Sequence, residues 1–211
     1  MGLYIAISGS IASGKTTLTK KLSDRFGWKP YYESVKSNPY LESFYSDMRA
    51  YALPLQTYFL INRFSDHKEI ISSGNSSIQD RTIYEDHEIF SRNLFLYNNM
   101  SERDYMTYRS LFDIMTSYLK PPDLIIYLKA ELSTLKRRII ERGRDYEQNI
   151  SLEYLRQLNE RYDEWIESCD YSKIITIPID KLDFKNNEND FNYISEKIVA
   201  SLEQPELFLP D

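Results

Sequence analysis

Residues Gly9, Ser10, Ile11, Ala12, Ser13, Gly14, Lys15 and Thr16 spell G-x-x-x-x-G-K-[ST], and no other feature narrows the choice of fold as sharply. The pattern carries meaning only between a strand and a helix. Residues 3–8 (LYIAIS) supply a short apolar run before it, and Leu18, Leu22 and Phe26 recur at helical spacing after it. Glycines in such a loop adopt backbone conformations closed to other residues, so successive N–H groups converge on phosphate oxygens at a helix N-terminus. Lys15, as a solvent-facing loop lysine, is expected on the β- and γ-phosphates of ATP, and the Thr16 hydroxyl on Mg2+. Thr17 follows them in the helix and is grouped with the ATP contacts. An N-K-x-D segment for reading guanine is absent from the sequence, which argues against a GTPase.

Further strands are expected over residues 30–33, 76–80, 123–129 (DLIIYLK) and 173–178, alternating with helices over 48–72, 101–118, 131–142, 151–168 and 189–202. Such alternation implies a parallel α/β sheet. Pro54 should kink the first of these helices or mark its true start, Ser101 with Asp104 suits an N-cap, and the Pro121-Pro122 pair stops the helix before DLIIYLK. With 211 residues, 42% of them hydrophobic, one domain over residues 1–211 is expected.

The net charge of -6 leaves no basic surplus for polymeric nucleic acid, so phosphate binding must be local. Cys169, the lone cysteine, excludes an intrachain disulfide and a Cys-based zinc cluster and fits a reducing, cytoplasmic location. The sequence has neither a signal-peptide pattern nor an apolar run long enough to span a bilayer, so no membrane partner is expected. His67 and His87 sit among charged residues without metal-ligand spacing and are expected at the surface.

The loop alone leaves the phosphate acceptor open, since GTPases, motors and small-molecule kinases share it. Five further segments bear on it: Glu33-Ser34-Val35; Asn38, Pro39, Tyr40, Leu41, Phe44 and Tyr45; Leu55, Gln56 and Arg63; Asp80-Arg81-Thr82 followed by Ile83, Tyr84, Glu85 and Asp86; and Arg138, Arg142, Gly143, Arg144 and Glu147. Together with the loop they resemble the deoxynucleoside kinase family, which includes deoxycytidine, deoxyguanosine and bacterial deoxyadenosine kinases. The resemblance covers nearly the whole chain. It implies an α/β P-loop kinase with a five-stranded parallel sheet flanked by helices, an arginine-rich lid over about 138–149, and a homodimer.

By the same resemblance Glu33 is the base for the 5′-hydroxyl of a deoxynucleoside, with Ser34 replacing the family's usual proline. Leu41, Tyr45, Gln56, Phe59, Arg63, Asp86 and Phe90 fall in the nucleoside site, and Tyr45 and Glu147 resemble the residues that hold the sugar 3′-hydroxyl. Arg138, Arg142 and Arg144 offer guanidinium forks to ATP phosphates.

Physical logic runs alongside. Carboxylates at strand ends lie near the carboxyl edge of a parallel sheet, where such sheets bind ligands, so Glu33 and Asp80 can both face the loop. Glu33 is read as the general base and Asp80 as the carboxylate near Mg2+, although the pair can share or exchange the base role. Arg81 is placed to hold the attacking oxygen or Glu33. Aromatic Tyr45, Phe59, Tyr84 and Phe90 are expected to wall the pocket, and the Gln56 amide suits a base edge bearing a donor beside an acceptor, as on adenine or cytosine. The amide does not separate these two bases; the resemblance implies deoxyadenosine as the first expected acceptor, with deoxycytidine and deoxyguanosine next. Two other readings share the loop: a nucleoside monophosphate kinase and a regulatory P-loop ATPase.

Overall fold

The computed structural model describes residues 2–33, 38–148 and 150–203, so Ser34, Val35 and the last position of the expected lid, Asn149, lie outside the described residues. Five strands, β1 (Tyr4–Ser8), β2 (Lys29–Tyr31), β3 (Ser77–Asp80), β4 (Leu124–Lys129) and β5 (Lys173–Pro178), form one sheet in the order β2-β3-β1-β4-β5. Every pairing is parallel: Ile7 lies opposite Asp80 on one side of β1, and Ser8 opposite Tyr127 on the other. With β3 and β4 flanking β1, the chain leaves the sheet centre in opposite directions, and a crevice opens above the β1 carboxyl end. The phosphate loop follows β1 at that point.

All of β1 is buried, as befits a strand covered on both faces. Alternation sorts its side chains. Ile5 and Ile7, with Ile78, Leu124, Ile126 and Leu128, pack against Leu18 and Leu22 of α1 (Lys15–Phe26) and Phe191, Ile194 and Ile198 of α9 (Glu188–Glu203). Ala6, Ile125 and Tyr127 face the other way, onto Leu60 of α3 (Met48–Ser73), Tyr108 and Phe112 of α6 (Glu102–Thr116), and Leu158, Tyr162 and Trp165 of α8 (Leu152–Ser168). Between β4 and β5 the chain also forms α7 (Leu132–Arg142), ahead of α8.

The expected elements form with small shifts at their ends, and Ser101 does cap α6, its Oγ accepting from Asp104 N at 3.1 Å. β2 stops at Tyr31, so Glu33 sits two residues past the strand rather than within it. Pro54 is not the helix start: Asp47 caps α3, its side chain accepting from Ala50 N at 3.0 Å, and Pro54 lies inside the helix, where it deprives the Ala50 carbonyl of a donor. Two stretches without an expected element are helical: α2 (Leu41–Ser46), and the run α4 (Ile83–Glu85), a π-helical turn (Asp86–Ser91) and α5 (Arg92–Leu96).

Both histidines are buried, contrary to the surface position expected from their charged neighbours. His67 Nε2 lies 2.8 Å from Lys120 O and its ring packs edge-on against Tyr4, with burial pushing its pKa down to about 4. His87 stacks on Phe112 with ring centroids 4.3 Å apart. Helical faces, not sequence neighbours, decide burial here: Lys68 and Glu69 beside His67 are exposed, while Glu88 beside His87 turns back to its ring, Oε1 lying 3.1 Å from Nδ1. Among the described residues no helix is long and apolar enough to cross a membrane.

Candidate active site

A cavity of about 1050 Å³ opens at the β1 carboxyl end, between the phosphate loop, α2, α3, β3, the π-helical turn and the segment beyond α7. Of the described residues singled out from the sequence as site residues, Gly9, Ser10, Ser13 and Arg63 are set back from its wall, and the others line it. Tyr84 is the exception among the expected wall aromatics. It belongs to the core beside Phe112 and Tyr171, because the capping box of Thr82 and Glu85 starts a helix that turns it inward.

The loop is shaped by close approach. A Cβ on Gly9 would lie 2.8 Å from Ser13 Oγ and 2.9 Å from Leu128 O, and φ is +148 there, so no other residue fits without movement. Gly14 caps α1 in the left-handed region, and a Cβ on it would meet Phe184 at 2.7 Å. Lys15 is buried, not solvent-facing: its Nζ donates to Gly9 O at 2.9 Å and Ser10 O at 3.0 Å, folding the side chain back over its own loop. Burial, with Arg81 adding to it, pushes its pKa down to about 8 against the pull of Asp80, Glu33 and Glu85. An arriving triphosphate offers the anion this lysine lacks.

At the strand ends, Thr16 Oγ1 donates to Asp80 Oδ2 at 2.5 Å, while Asp80 Oδ1 is buried with no hydrogen-bond partner among the described residues. Burial pushes the Asp80 carboxyl up, and Lys15 opposes it. Glu33 Oε1 receives Arg63 Nη2 at 2.5 Å and lies 3.2 Å from Arg81 Nε. Burial alone would raise the Glu33 pKa; Arg81, Arg63 and Lys15 outweigh it and hold the carboxyl well below the usual range. Arg63 also places Nε 2.7 Å from Asp86 Oδ2 and donates through Nη1 to the carbonyls of Asp80 and Arg81. Burial pushes Asp86 upward and Arg63 restrains it. Two turns before Arg63 on α3, Gln56 Oε1 is buried with no partner among the described residues, and Gln56 lines the cavity.

Aromatic walls complete this end. Phe59 and Phe90 line it, Arg81 Cζ lying 4.3 Å from the Phe90 ring centroid and Arg63 Cζ 5.7 Å from that of Phe59. Tyr45 stacks on Tyr146, centroids 6.0 Å apart, so α2 touches the short 3-10 turn Asp145–Glu147. In that turn the buried Glu147 binds Arg142, and Arg144 Nη1 lies 3.2 Å from its Oε1. Arg138 turns elsewhere. Its Nη1 donates to Ser13 O at 2.9 Å and its Nη2 to Ile179 and Leu182 carbonyls at 3.4 Å, tying the phosphate loop to the segment after β5.

Several residues at the site escaped sequence reasoning. Tyr146 and Tyr154 line the cavity, as do residues 180–186, where Phe184 inside a polar run was the signal that the loop is more than a connector. Tyr162 lies behind the loop against Glu85, more than 70 residues away in sequence; Glu85 is legible in the sequence only as part of the segment after Asp80, and Tyr162 carries no signal there.

A family model for deoxynucleoside kinase matches residues 5–203. The chain belongs to the deoxynucleoside kinase family. It is 39% identical over 198 residues to a deoxyadenosine/deoxycytidine kinase of Bacillus subtilis, covering 93% of this chain and 91% of the relative. It is also 39% identical over 216 residues to a deoxyguanosine kinase of Lactobacillus johnsonii, covering 98% and 96%. Among solved structures, deoxyadenosine kinase from M. mycoides with bound dATP superposes with a TM-score of 0.82 at 30% identity, covering 93% of this chain and 99% of that one. This kinase is thus an enzyme that phosphorylates nucleosides, and its α/β P-loop fold is that of its relatives. Equal identity to relatives named for different bases leaves base choice to the site itself.

The donor set near the loop of this kinase suits a hard cation. Thr16 and Asp80 present oxygens, one of them buried and unpartnered, and no cluster of three or more His, Cys, Asp or Glu among the described residues could hold a metal alone. Such a site fits Mg2+ that keeps phosphate oxygens and water as its remaining ligands.

Proposed function

We propose that this kinase transfers the γ-phosphate of ATP to the 5′-hydroxyl of a deoxynucleoside in nucleoside salvage, with deoxyadenosine preferred and deoxycytidine and deoxyguanosine accepted. One observation carries the choice of acceptor: the Glu33 carboxylate lines the cavity beside the phosphate loop and is held between two arginines, Arg63 and Arg81. Around Glu33 stand Lys15, Arg63 and Arg81 against Glu33, Asp80 and Asp86, three positive and three negative, so no cationic surplus waits there for a phosphate-bearing acceptor. A neutral alcohol fits, and an anionic monophosphate does not.

In the step itself the 5′-oxygen forms a bond to the γ-phosphorus as the bond to the β,γ-bridging oxygen breaks, ADP departs, and the hydroxyl proton passes to Glu33 Oε. A carboxyl held this acidic is a weak base. It serves by orienting the hydroxyl and taking its proton late, since phosphoryl transfer proceeds through a loose transition state in which positioning and charge stabilisation dominate. Lys15 and Arg81 meet the developing charge, and Arg142 and Arg144 join them once Glu147 releases them to hold the sugar 3′-hydroxyl with Tyr45. Thr16 and Asp80 would hold Mg2+, which would supply charge neutralisation on the phosphates.

Base preference rests on the Gln56 amide, whose Oε1 has no partner among the described residues, and on the Arg63–Asp86 pair. Adenine and cytosine offer an amino donor beside a ring-nitrogen acceptor, which an amide matches in both directions. The single domain acts as a homodimer in the cytoplasm on this reading. Exposed Ile61 on α3 and Ile114 on α6, two helices that pack together, provide the apolar face for a second copy. A coupled assay of ADP release with each of the four deoxynucleosides, adenosine and dAMP tests the whole. The expected order has deoxyadenosine first and thymidine last. ATP turnover indifferent to nucleoside would indicate an ATPase instead, and turnover on dAMP alone a monophosphate kinase.

A further inference from the structure

We propose that Tyr162 and Glu85 are positioning residues of the phosphoryl-transfer site, fixing the Arg81 guanidinium against Glu33 and registering it to the first glycine of the phosphate loop. The inference deepens the function proposed above and rests on the parts given there to Arg81 and Glu33.

Arg81 follows β3 at φ +71, a backbone conformation uncommon for a residue with a side chain, and its N–H is held by Ile7 O at 3.0 Å. A strained residue of this kind persists only where its surroundings over-determine it. Its guanidinium has Nε 3.2 Å from Glu33 Oε1 and donates through Nη1 to the Tyr162 hydroxyl at 3.0 Å. Arg81 lines the cavity, so the guanidinium held in this way is within reach of substrate oxygens.

The Tyr162 hydroxyl has one proton and two acceptors for it, Glu85 Oε1 at 2.7 Å and Gly9 O at 2.9 Å. With the proton spent there, its lone pairs remain for Arg81. Glu85 in turn is fully buried and accepts from Ser8 Oγ at 2.8 Å, Thr82 N at 2.9 Å and, more weakly, Gly9 N at 3.4 Å. One carboxylate therefore touches the end of β1, the entry to the phosphate loop, the start of α4 and the tyrosine that holds Arg81. The line runs Glu85, Tyr162, Arg81, Glu33 without a gap, and none of its first two members reaches the cavity wall. Placement of the reacting groups is worth orders of magnitude when it slips by about 1 Å.

Removing the hydroxyl in Tyr162→Phe keeps the ring and its stacking on Tyr127 but frees one side of the guanidinium. The expected result is a fall in kcat of roughly tenfold to a hundredfold with KM for ATP and deoxyadenosine within about twofold. Glu85→Gln keeps an acceptor for the tyrosine and should fall less, in the same direction. Tyr127→Phe, whose hydroxyl bonds the outlying Asp163 at 3.3 Å, is the control and should stay within about twofold of wild type. The decisive arm is a double-mutant cycle: in an Arg81→Ala background Tyr162→Phe should have almost no further effect, because its action runs through the missing side chain. An equal loss in both backgrounds, or unchanged kcat with only a lower Tm, overturns the positioning role and assigns Tyr162 to the core. Full activity in Arg81→Ala would instead overturn the part given to Arg81 itself. If Tyr162→Phe does not fold, Glu85→Gln takes its place in the same cycle.

Discussion

Arg63 Nε lies 2.7 Å from Asp86 Oδ2, and both side chains are almost wholly buried, with Asp86 at the cavity wall. Breaking such a pair by removing one member leaves a buried charge, typically at a cost of about 3–5 kcal/mol, whereas replacing both by apolar groups is far milder. Arg63→Met with Asp86→Ala should therefore fold while either single change lowers Tm sharply. The double variant should admit thymidine, whose base lacks the exocyclic amine that a carboxylate accepts from, so the kcat/KM ratio of deoxyadenosine to thymidine should collapse. Because Arg63 also grips Glu33, absolute kcat should fall for both nucleosides, which is why the ratio is the quantity to measure. An unchanged ratio would remove this pair from base selection.

For Lys15→Ala the expected loss is at least a hundredfold in kcat, since a charge that meets the transferring phosphoryl group is worth several kcal/mol in a water-poor site. Stability should also change, because Gly9 O and Ser10 O lose their shared donor. Circular dichroism and a melting curve on the same preparation separate the two effects. Near-normal turnover in a folded protein would contradict the ATP site.

The sheet and its helices were legible because β1, β4 and β5 are apolar runs and the long helices repeat at 3.6, while the phosphate loop announces itself by spacing. What escaped lacks either signal. Lys29, Pro30 and Tyr31 make a three-residue edge strand with no run to detect, which misplaced Glu33 by two residues. Residues 83–96 mix acids, a histidine and aromatics over three helical segments of two types, the middle one a π-helical turn whose i→i+5 register blurs a 3.6 repeat. At the site, motif residues close in sequence were found, and partners supplied from a distant helix, such as Tyr162, were not. The surface expectation for His67 failed because neighbours in sequence say nothing about which helical face turns inward.

Glu33→Gln keeps shape and one acceptor but cannot take a proton. It should lower kcat by about 10²–10⁴ with KM for deoxyadenosine changed only a few-fold. The substitution also removes the counter-ion shared by Arg63 and Arg81, so a modest fall in Tm is expected alongside. Binding lost with kcat preserved would reduce Glu33 to a sugar ligand and pass the base role to Asp80.

The last prediction concerns pH and stability away from the site. Burial holds the His67 pKa at about 4, below the 6.5 of the free side chain, with the Lys120 carbonyl bond pulling the other way. Above pH 6.5 neither folded nor unfolded chain protonates this ring, and its contribution is constant. As pH falls below 6.5 the unfolded chain takes up the proton and the folded one does not, so stability drains until about pH 4, where the folded ring protonates too. A gap of that size corresponds to at most about 3 kcal/mol. His67→Gln retains an N–H donor for Lys120 O but has nothing to titrate, so its melting temperature should fall less than that of wild type between pH 7 and pH 4.5. Parallel melting curves for the two proteins over that window, taken by circular dichroism, check the difference. Curves with identical pH dependence would mean that the ring reaches solvent and protonates in the folded state.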